Sequence, residues 1–223
     1  MTEKRISASI MCADLLNVQR DVDLLRENGV EFLHVDIMDG AFVPNITLGI
    51  DLCNALGEKS GVKRDIHLLV ENPTLFVNRF NLKPGEQVCV HYEADVNVRI
   101  LSSMIRGKGA RFGLALNPET SIEVLSDYLD QLDFVLLMMI KPGFSGMKKE
   151  AGMIEKIKEL RQYLDANNKK IEIEVDGNVS FKNAREMSAA SADIFVGGSS
   201  SIFSKKDDIG NCVRLLRKSI EQG

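Results

Sequence analysis

The strings Leu33-His34-Val35-Asp36 and Asp65-Ile66-His67-Leu68 carry two of the chain's three histidines, and a third string, Glu174-Val175-Asp176-Gly177, ends in a carboxylate beside glycine. Side chains alternate along an extended strand, so His34 and Asp36 share a face. Two imidazoles and two carboxylates, from His34, Asp36, His67 and Asp176, make a mixed nitrogen and oxygen donor set suited to a divalent cation. A carboxylate pair at one cation also suits proton transfer at a carbon next to a carbonyl. Asp36 or Asp176 takes the proton, the other returns one to the opposite face, and the cation stabilises the developing enediolate and moderates the repulsion between the two acids. Taken alone, Asp176 also reads as a turn former in Asp-Gly, and His91 as a satisfied polar residue at a strand end.

Positioning such a set requires several strands remote in sequence. Apolar, β-branched runs alternate with longer segments of helical period, the mark of a parallel sheet with helical crossovers. Strands are expected near 6–10, 32–37, 63–69, 87–91, 111–115, 134–139, 171–175 and 194–196. Helices are expected near 15–27, 50–56, 74–80, 96–106, 121–128, 149–166, 181–189 and 207–220. Eight strand–helix repeats predict a single-domain (β/α)8 TIM barrel over 1–223, with a doubly wound open sheet as the other arrangement. No G-x-G-x-x-G follows the first strand, which argues against dinucleotide binding. In a barrel the active site lies at the C-terminal strand ends, where Ser9, His34, Asp36, His67, His91 and Asp176 fall.

Three glycine-containing loops follow late strands: Gly143-Phe144-Ser145-Gly146, Gly177-Asn178, and Gly197-Gly198-Ser199-Ser200-Ser201. The last two barrel loops are common phosphate sites that use backbone N–H groups, although glycines also simply turn a chain. Met38 and Met138 read as core filling or as a soft, water-poor wall at the site. Asp39, out of phase with Asp36, is expected to turn into the following loop. The net charge of −4 comes from interspersed charges, with no basic stripe for nucleic acid and no polybasic membrane patch. No apolar run of spanning length occurs, and the four cysteines show no C-x-x-C pair, so a reduced, cytoplasmic setting is expected.

These residues resemble the ribulose-phosphate 3-epimerase family across nearly the whole chain. The likeness rests on Ser9-Ile10-Met11 with Asp14, His34-Val35-Asp36-Ile37-Met38-Asp39-Gly40, Phe42-Val43-Pro44-Asn45 and Asp65-Ile66-His67-Leu68. It continues through Leu116-Asn117-Pro118, Pro142-Gly143-Phe144 with Gly146, Glu174-Val175-Asp176-Gly177, and Gly198-Ser199 before Ile202-Phe203. The resemblance implies a barrel that interconverts D-ribulose 5-phosphate and D-xylulose 5-phosphate, and one divalent ion (zinc, iron, manganese or cobalt) on His34, Asp36, His67 and Asp176. It further implies substrate contacts from Ser9, His67 and the loops Gly143–Gly146, Gly177–Asn178 and Gly198–Ser199, and a homo-oligomer.

Departures from the family pattern gather near those loops. Leu69 stands for a methionine, Ala41 for a histidine, Lys141 for asparagine or glutamate, Ser145 for glycine, Met147 for glutamine and Asn178 for glycine, and the last loop carries an additional serine. A hexulose-phosphate 3-epimerase acting on D-allulose 6-phosphate is the neighbouring enzymatic reading, and a non-catalytic sugar-phosphate sensor the alternative outside catalysis. Barrel decarboxylases typically carry Asp-x-Lys-x-x-Asp after a strand; Ile37 and Met38 supply no such lysine.

Overall fold

A computed structural model describes residues 3–94, 96–144, 146–204 and 207–223. Nine strands are described: β1 (Arg5–Ser9), β2 (Phe32–Asp39), β3 (Ile46–Thr47), β4 (Lys63–Leu69), β5 (Gln87–His91), β6 (Arg111–Leu116), β7 (Phe134–Met138), β8 (Glu172–Asp176) and β9 (Ile194–Gly197). Eight of them pair in parallel in the order β1-β9-β8-β7-β6-β5-β4-β2, and pairing of β1 with β2 closes the ring into a (β/α)8 barrel. The open-sheet alternative is thereby excluded. The ninth, β3, is a two-residue antiparallel addition to the end of β2. Thr47 Oγ1 donates to the Asp36 carbonyl at 2.6 Å, tying this addition to the strand that carries the site.

Outward-facing positions explain why these segments are strands. Leu33, Val35, Ile37, Ile66, Leu68, Val88, Val90, Val135, Leu137, Ile173 and Val175 are buried in one large apolar cluster shared with the helices. Alternate positions point to the axis, and these differ around the ring. Cys89, Ala115, Phe134, Leu136, Met138 and Val196 form a separate apolar cluster inside the barrel. Ser7, Ser9, His34, Asp36, Asp65, His67, Gln87 and Glu174 make the remainder polar and buried. Gly113 belongs to the apolar side for a steric reason, since a Cβ there would lie 2.4 Å from the Phe134 ring.

Helices α1 (Val18–Glu27), α2 (Gly49–Lys59), α3 (Thr74–Val77), α4 (Val98–Arg106), α5 (Met153–Ala166), α6 (Phe181–Ala189) and α7 (Ile209–Glu221) cover the outside. The expected helix at 121–128 is instead a 3₁₀ segment, Ile122–Asp127. Its apolar residues Ile122 and Leu125 are three apart, a spacing that serves either helix type. The expected helix at 74–80 is a single turn, and α1 and α5 start later than the apolar pattern implies. Ile10, expected to end the first strand, opens a 3₁₀ turn at Ile10–Cys12.

Candidate active site

Parallel register builds the site layer by layer. His34 on β2 pairs with Asp65 on β4, Asp36 with His67, and Met138 on β7 with Asp176 on β8. Going round the ring, β2 and β8 are separated by β1 and β9, so the two acids stand on walls three strands apart. One ligand atom from each of His34, Asp36, His67 and Asp176 lies within 4.8 Å of the others. His34 Nε2 is 3.2 Å and His67 Nδ1 3.1 Å from Asp36 Oδ1, and each is 3.9 Å from Asp176 Oδ2. Ser9 Oγ donates to Asp36 Oδ2 at 3.1 Å.

A second shell orients the first. His34 Nδ1 donates to Asp65 Oδ2 at 2.6 Å, which leaves Nε2 facing the cluster. Asp65 is held in turn by Ser7 Oγ at 2.7 Å and by Gln87 Nε2 at 3.0 Å, and the same Gln87 nitrogen reaches Glu174 Oε2 at 3.1 Å. A carboxylate behind a ligating histidine fixes ring orientation and raises the basicity of the other nitrogen. Asp65, Gln87 and Glu174 are absent from the expected site. The available signal was strand parity: Asp65 is two residues before His67, and Glu174 two before Asp176.

Burial and charge pull the carboxyls apart. For Asp36 desolvation favours the neutral acid, but His34 and His67 outweigh it and hold the group well below the usual carboxylate range. For Asp176 desolvation, joined by repulsion from Asp36 and Asp65, outweighs the attraction of His34; it is pushed up to about 7. Burial and the neighbouring Asp65 likewise raise Glu174, whose Oε1 has no hydrogen-bond partner, while His34 keeps Asp65 low. Among the described residues no lysine or arginine forms an ion pair with any of these four acids; their basic partners are the imidazoles of His34 and His67, and burial holds His67 toward its neutral form. A divalent cation on the four converging donors would supply the missing positive charge, so the residues fit a metal by chemistry as well as by spacing.

Above this floor opens a cleft of about 530 Å³, its mouth included, lined by Ser9, Asp36, Met38, Met138, Asp176 and the three glycine loops. Met38 and Met138, read as core filling or as a wall at the site, are buried and also line the cleft, where Leu69, Met11, Cys12 and Ile140 join them. Gly143, Phe144, Gly146, Gly177, Asn178, Gly198 and Ser199 all line the cleft, together with Ser200; Ser145 lies outside the described residues. His67, expected to touch substrate, does not line the cleft. It sits beneath Asp36 with both ring nitrogens engaged by protein groups. Glycine is required at 177, where φ is +105° and a Cβ would lie 2.5 Å from Ile140. Asn178, at φ +49°, bridges two loops: its Nδ2 donates to Ser200 Oγ at 3.2 Å, and its Oδ1 accepts from Asn183 Nδ2 at 2.7 Å. Asp39 is structural, as its phase implies, accepting from the N–H groups of Ala41, Phe42 and Glu71.

A closed parallel barrel with paired carboxylates, two histidines and glycine-containing loops at the C-terminal strand ends defines a TIM-barrel enzyme equipped for proton transfer, with a donor set that could hold a metal. The chain belongs to the ribulose-phosphate 3-epimerase family, whose profile matches residues 5–203. It is 38% identical over 213 residues to the ribulose-phosphate 3-epimerase of Chlamydia muridarum, covering 95% of this chain and 92% of the relative. The Bacillus subtilis enzyme of the same name is 34% identical over 196 residues, 87% of this chain and 90% of the relative. Among solved structures, KGPDC from Streptococcus mutans in complex with D-R5P superposes with a TM-score of 0.70 at 10% identity, over 98% of both chains, a likeness of fold alone.

Proposed function

We propose that residues 1–223 act as one catalytic unit that inverts C3 of a ketose phosphate, converting D-ribulose 5-phosphate to D-xylulose 5-phosphate and back. The observation that carries this reading is geometric: Asp36 and Asp176 converge at the cleft floor from walls three strands apart, in surroundings that lower the first carboxyl and raise the second. Two acids driven apart by their surroundings are a base and an acid. Asp36 takes the C3 proton from one face and Asp176 delivers one to the other; in the reverse direction the roles exchange. Ser9 steadies Asp36 through its hydroxyl. A divalent ion held by His34, Asp36, His67 and Asp176, whether zinc, iron, manganese or cobalt, supplies positive charge beside the oxygens on which negative charge develops.

Met38, Met138 and Leu69 keep water from the floor, since all three are buried and face the cleft. The loops around Gly143–Gly146, Gly177–Asn178 and Gly198–Ser199 hold the phosphate through backbone N–H groups. The same reading takes the protein to be a cytoplasmic homo-oligomer. It draws on the family resemblance and on Cys12, Cys53, Cys89 and Cys212 all being free thiols; no described helix is long and apolar enough to cross a membrane. Turnover of D-ribulose 5-phosphate and D-allulose 6-phosphate by one metal-loaded sample tests the substrate. A higher kcat/KM for the pentulose is expected, preference for the hexulose would reassign it, and tight binding of both without turnover would mark a sensor.

A further inference from the structure

Behind the four-donor cluster a chain of hydrogen bonds leaves the barrel axis and ends at a carboxylate that the proton transfer does not use. His67 Nδ1 faces the cluster, and its Nε2 lies 2.9 Å from His91 Nε2. The His91 Nδ1 lies 3.2 Å from Glu93 Oε2. The far oxygen of Glu93, Oε1, accepts from the Asn117 N–H at 2.9 Å and from the Thr120 hydroxyl. Lys156 Nζ donates to the carbonyls of Asn117, Pro118 and Thr120 at 2.9, 2.9 and 2.6 Å, pinning the loop that presents those two donors. Both imidazoles are fully buried and stacked at 5.0 Å, and neither His91 nor Glu93 lines the cleft.

Directions along this chain are forced by which atoms carry hydrogen. A ring nitrogen that holds a cation offers a lone pair, so the hydrogen of a ligating His67 sits on Nε2 and points at His91. His91 must accept there, which places its own hydrogen on Nδ1, facing Glu93. A carboxylate only accepts, so Glu93 favours that arrangement at the far end. Asp36 Oδ1, 3.1 Å from His67 Nδ1, pulls the other way, since it would accept a hydrogen on that nitrogen. The far end of the chain therefore decides the outcome.

We propose that Glu93, acting through His91, sets the tautomer of His67 and so keeps the Nδ1 lone pair available for the cation. Glu93 and His91 are positioning residues for the metal centre of the proposed epimerase, and the inference rests on that centre. In Glu93→Gln the amide oxygen must stay with the Asn117 N–H, which can only donate, and the NH₂ then turns to His91. That reverses every bond in the chain and puts a hydrogen on His67 Nδ1, in the cation's place.

The test is the Co(II) dissociation constant of the full chain, measured by chelator competition for wild type, Glu93→Gln, His91→Phe and the double variant. Outer-shell changes typically weaken metal by about 10–100-fold, and a loss in that range is expected for Glu93→Gln. His91→Phe keeps the stack and breaks the chain, so adding Glu93→Gln to it should cost nothing more. Wild-type affinity in Glu93→Gln, or an undiminished second loss in the His91→Phe background, overturns the relay. Wild type that binds no Co(II) overturns the metal centre itself. Should the variants fail to fold, the ¹⁵N shifts of His91 in the zinc-loaded wild type decide: hydrogen on Nδ1 is expected, and hydrogen on Nε2 contradicts the proposal.

Discussion

The two ends of the barrel arrange their charged side chains in opposite ways. At the N-terminal end Glu172 lies between Arg5 and Arg111 and bonds to both. Each guanidinium also sits over a ring, Arg5 over Phe32 at 5.4 Å and Arg111 over Phe134 at 5.6 Å, and Arg111 donates to Gln87 Oε1 at 3.1 Å. These three charges are matched to one another, and the result is a plug. Toward the C-terminal end Asp36, Asp65, Glu174 and Asp176 have, among the described residues, no lysine or arginine as ion-pair partner, and Asp36 and Asp176 aim ligand atoms at one point together with His34 and His67. Matched charge closes a barrel, whereas unmatched charge aimed at one point leaves work for a cation and a substrate.

Substitutions at the two ends should therefore differ in kind. The largest effect is expected for Asp36→Asn, which removes the base while leaving shape intact. kcat should fall by about 10³-fold or more, with phosphate affinity changed far less. A variant of near-normal turnover would remove Asp36 from the proton path. Next is Asp65→Asn, one step behind the cluster: loss of the carboxylate on His34 Nδ1 should weaken metal binding by about 10–100-fold, read by chelator competition. Glu172→Gln tests the other end. It should lower stability by about 1 kcal/mol in urea unfolding, a value discounted for partial exposure, with kcat unchanged. A fall in kcat there would erase the distinction between plug and site.

The smallest effect concerns acid stability. For Glu93 burial favours the neutral acid, but hydrogen bonds from His91, Thr120 and the Asn117 N–H outweigh it and bring the group down to about 2, from an ordinary value of 4.5. A depressed carboxyl stabilises the fold above its unfolded value and loses that contribution as pH falls toward 2. Glu93→Gln should therefore show a shallower loss of stability between about pH 4.5 and 2 than wild type, measured by denaturant midpoints.

Much of this arrangement was legible in the residues. Buried strands read as β-branched runs because their outward faces meet helices, and Asp36 and His34 declared a common face by their spacing of two. Gly177 and Gly198 pointed to loops that line the cleft. Other features gave weak signals. The two-residue β3 is too short to pattern, and Ile122 and Leu125 fit a 3₁₀ segment as well as an α-helix. Asp65, Gln87 and Glu174 look like ordinary polar strand residues until register places them behind His34. Glu93 lies beyond the end of β5, where strand parity with His91 no longer has to hold.

In the proposed reaction a proton leaves C3 to one acid and returns from another that exchanges with solvent. Conversion of D-ribulose 5-phosphate in deuterium oxide by the metal-loaded protein tests it directly. Solvent deuterium is expected at C3 of the D-xylulose 5-phosphate formed, and product that retains the original hydrogen at C3 would rule out the two-acid exchange.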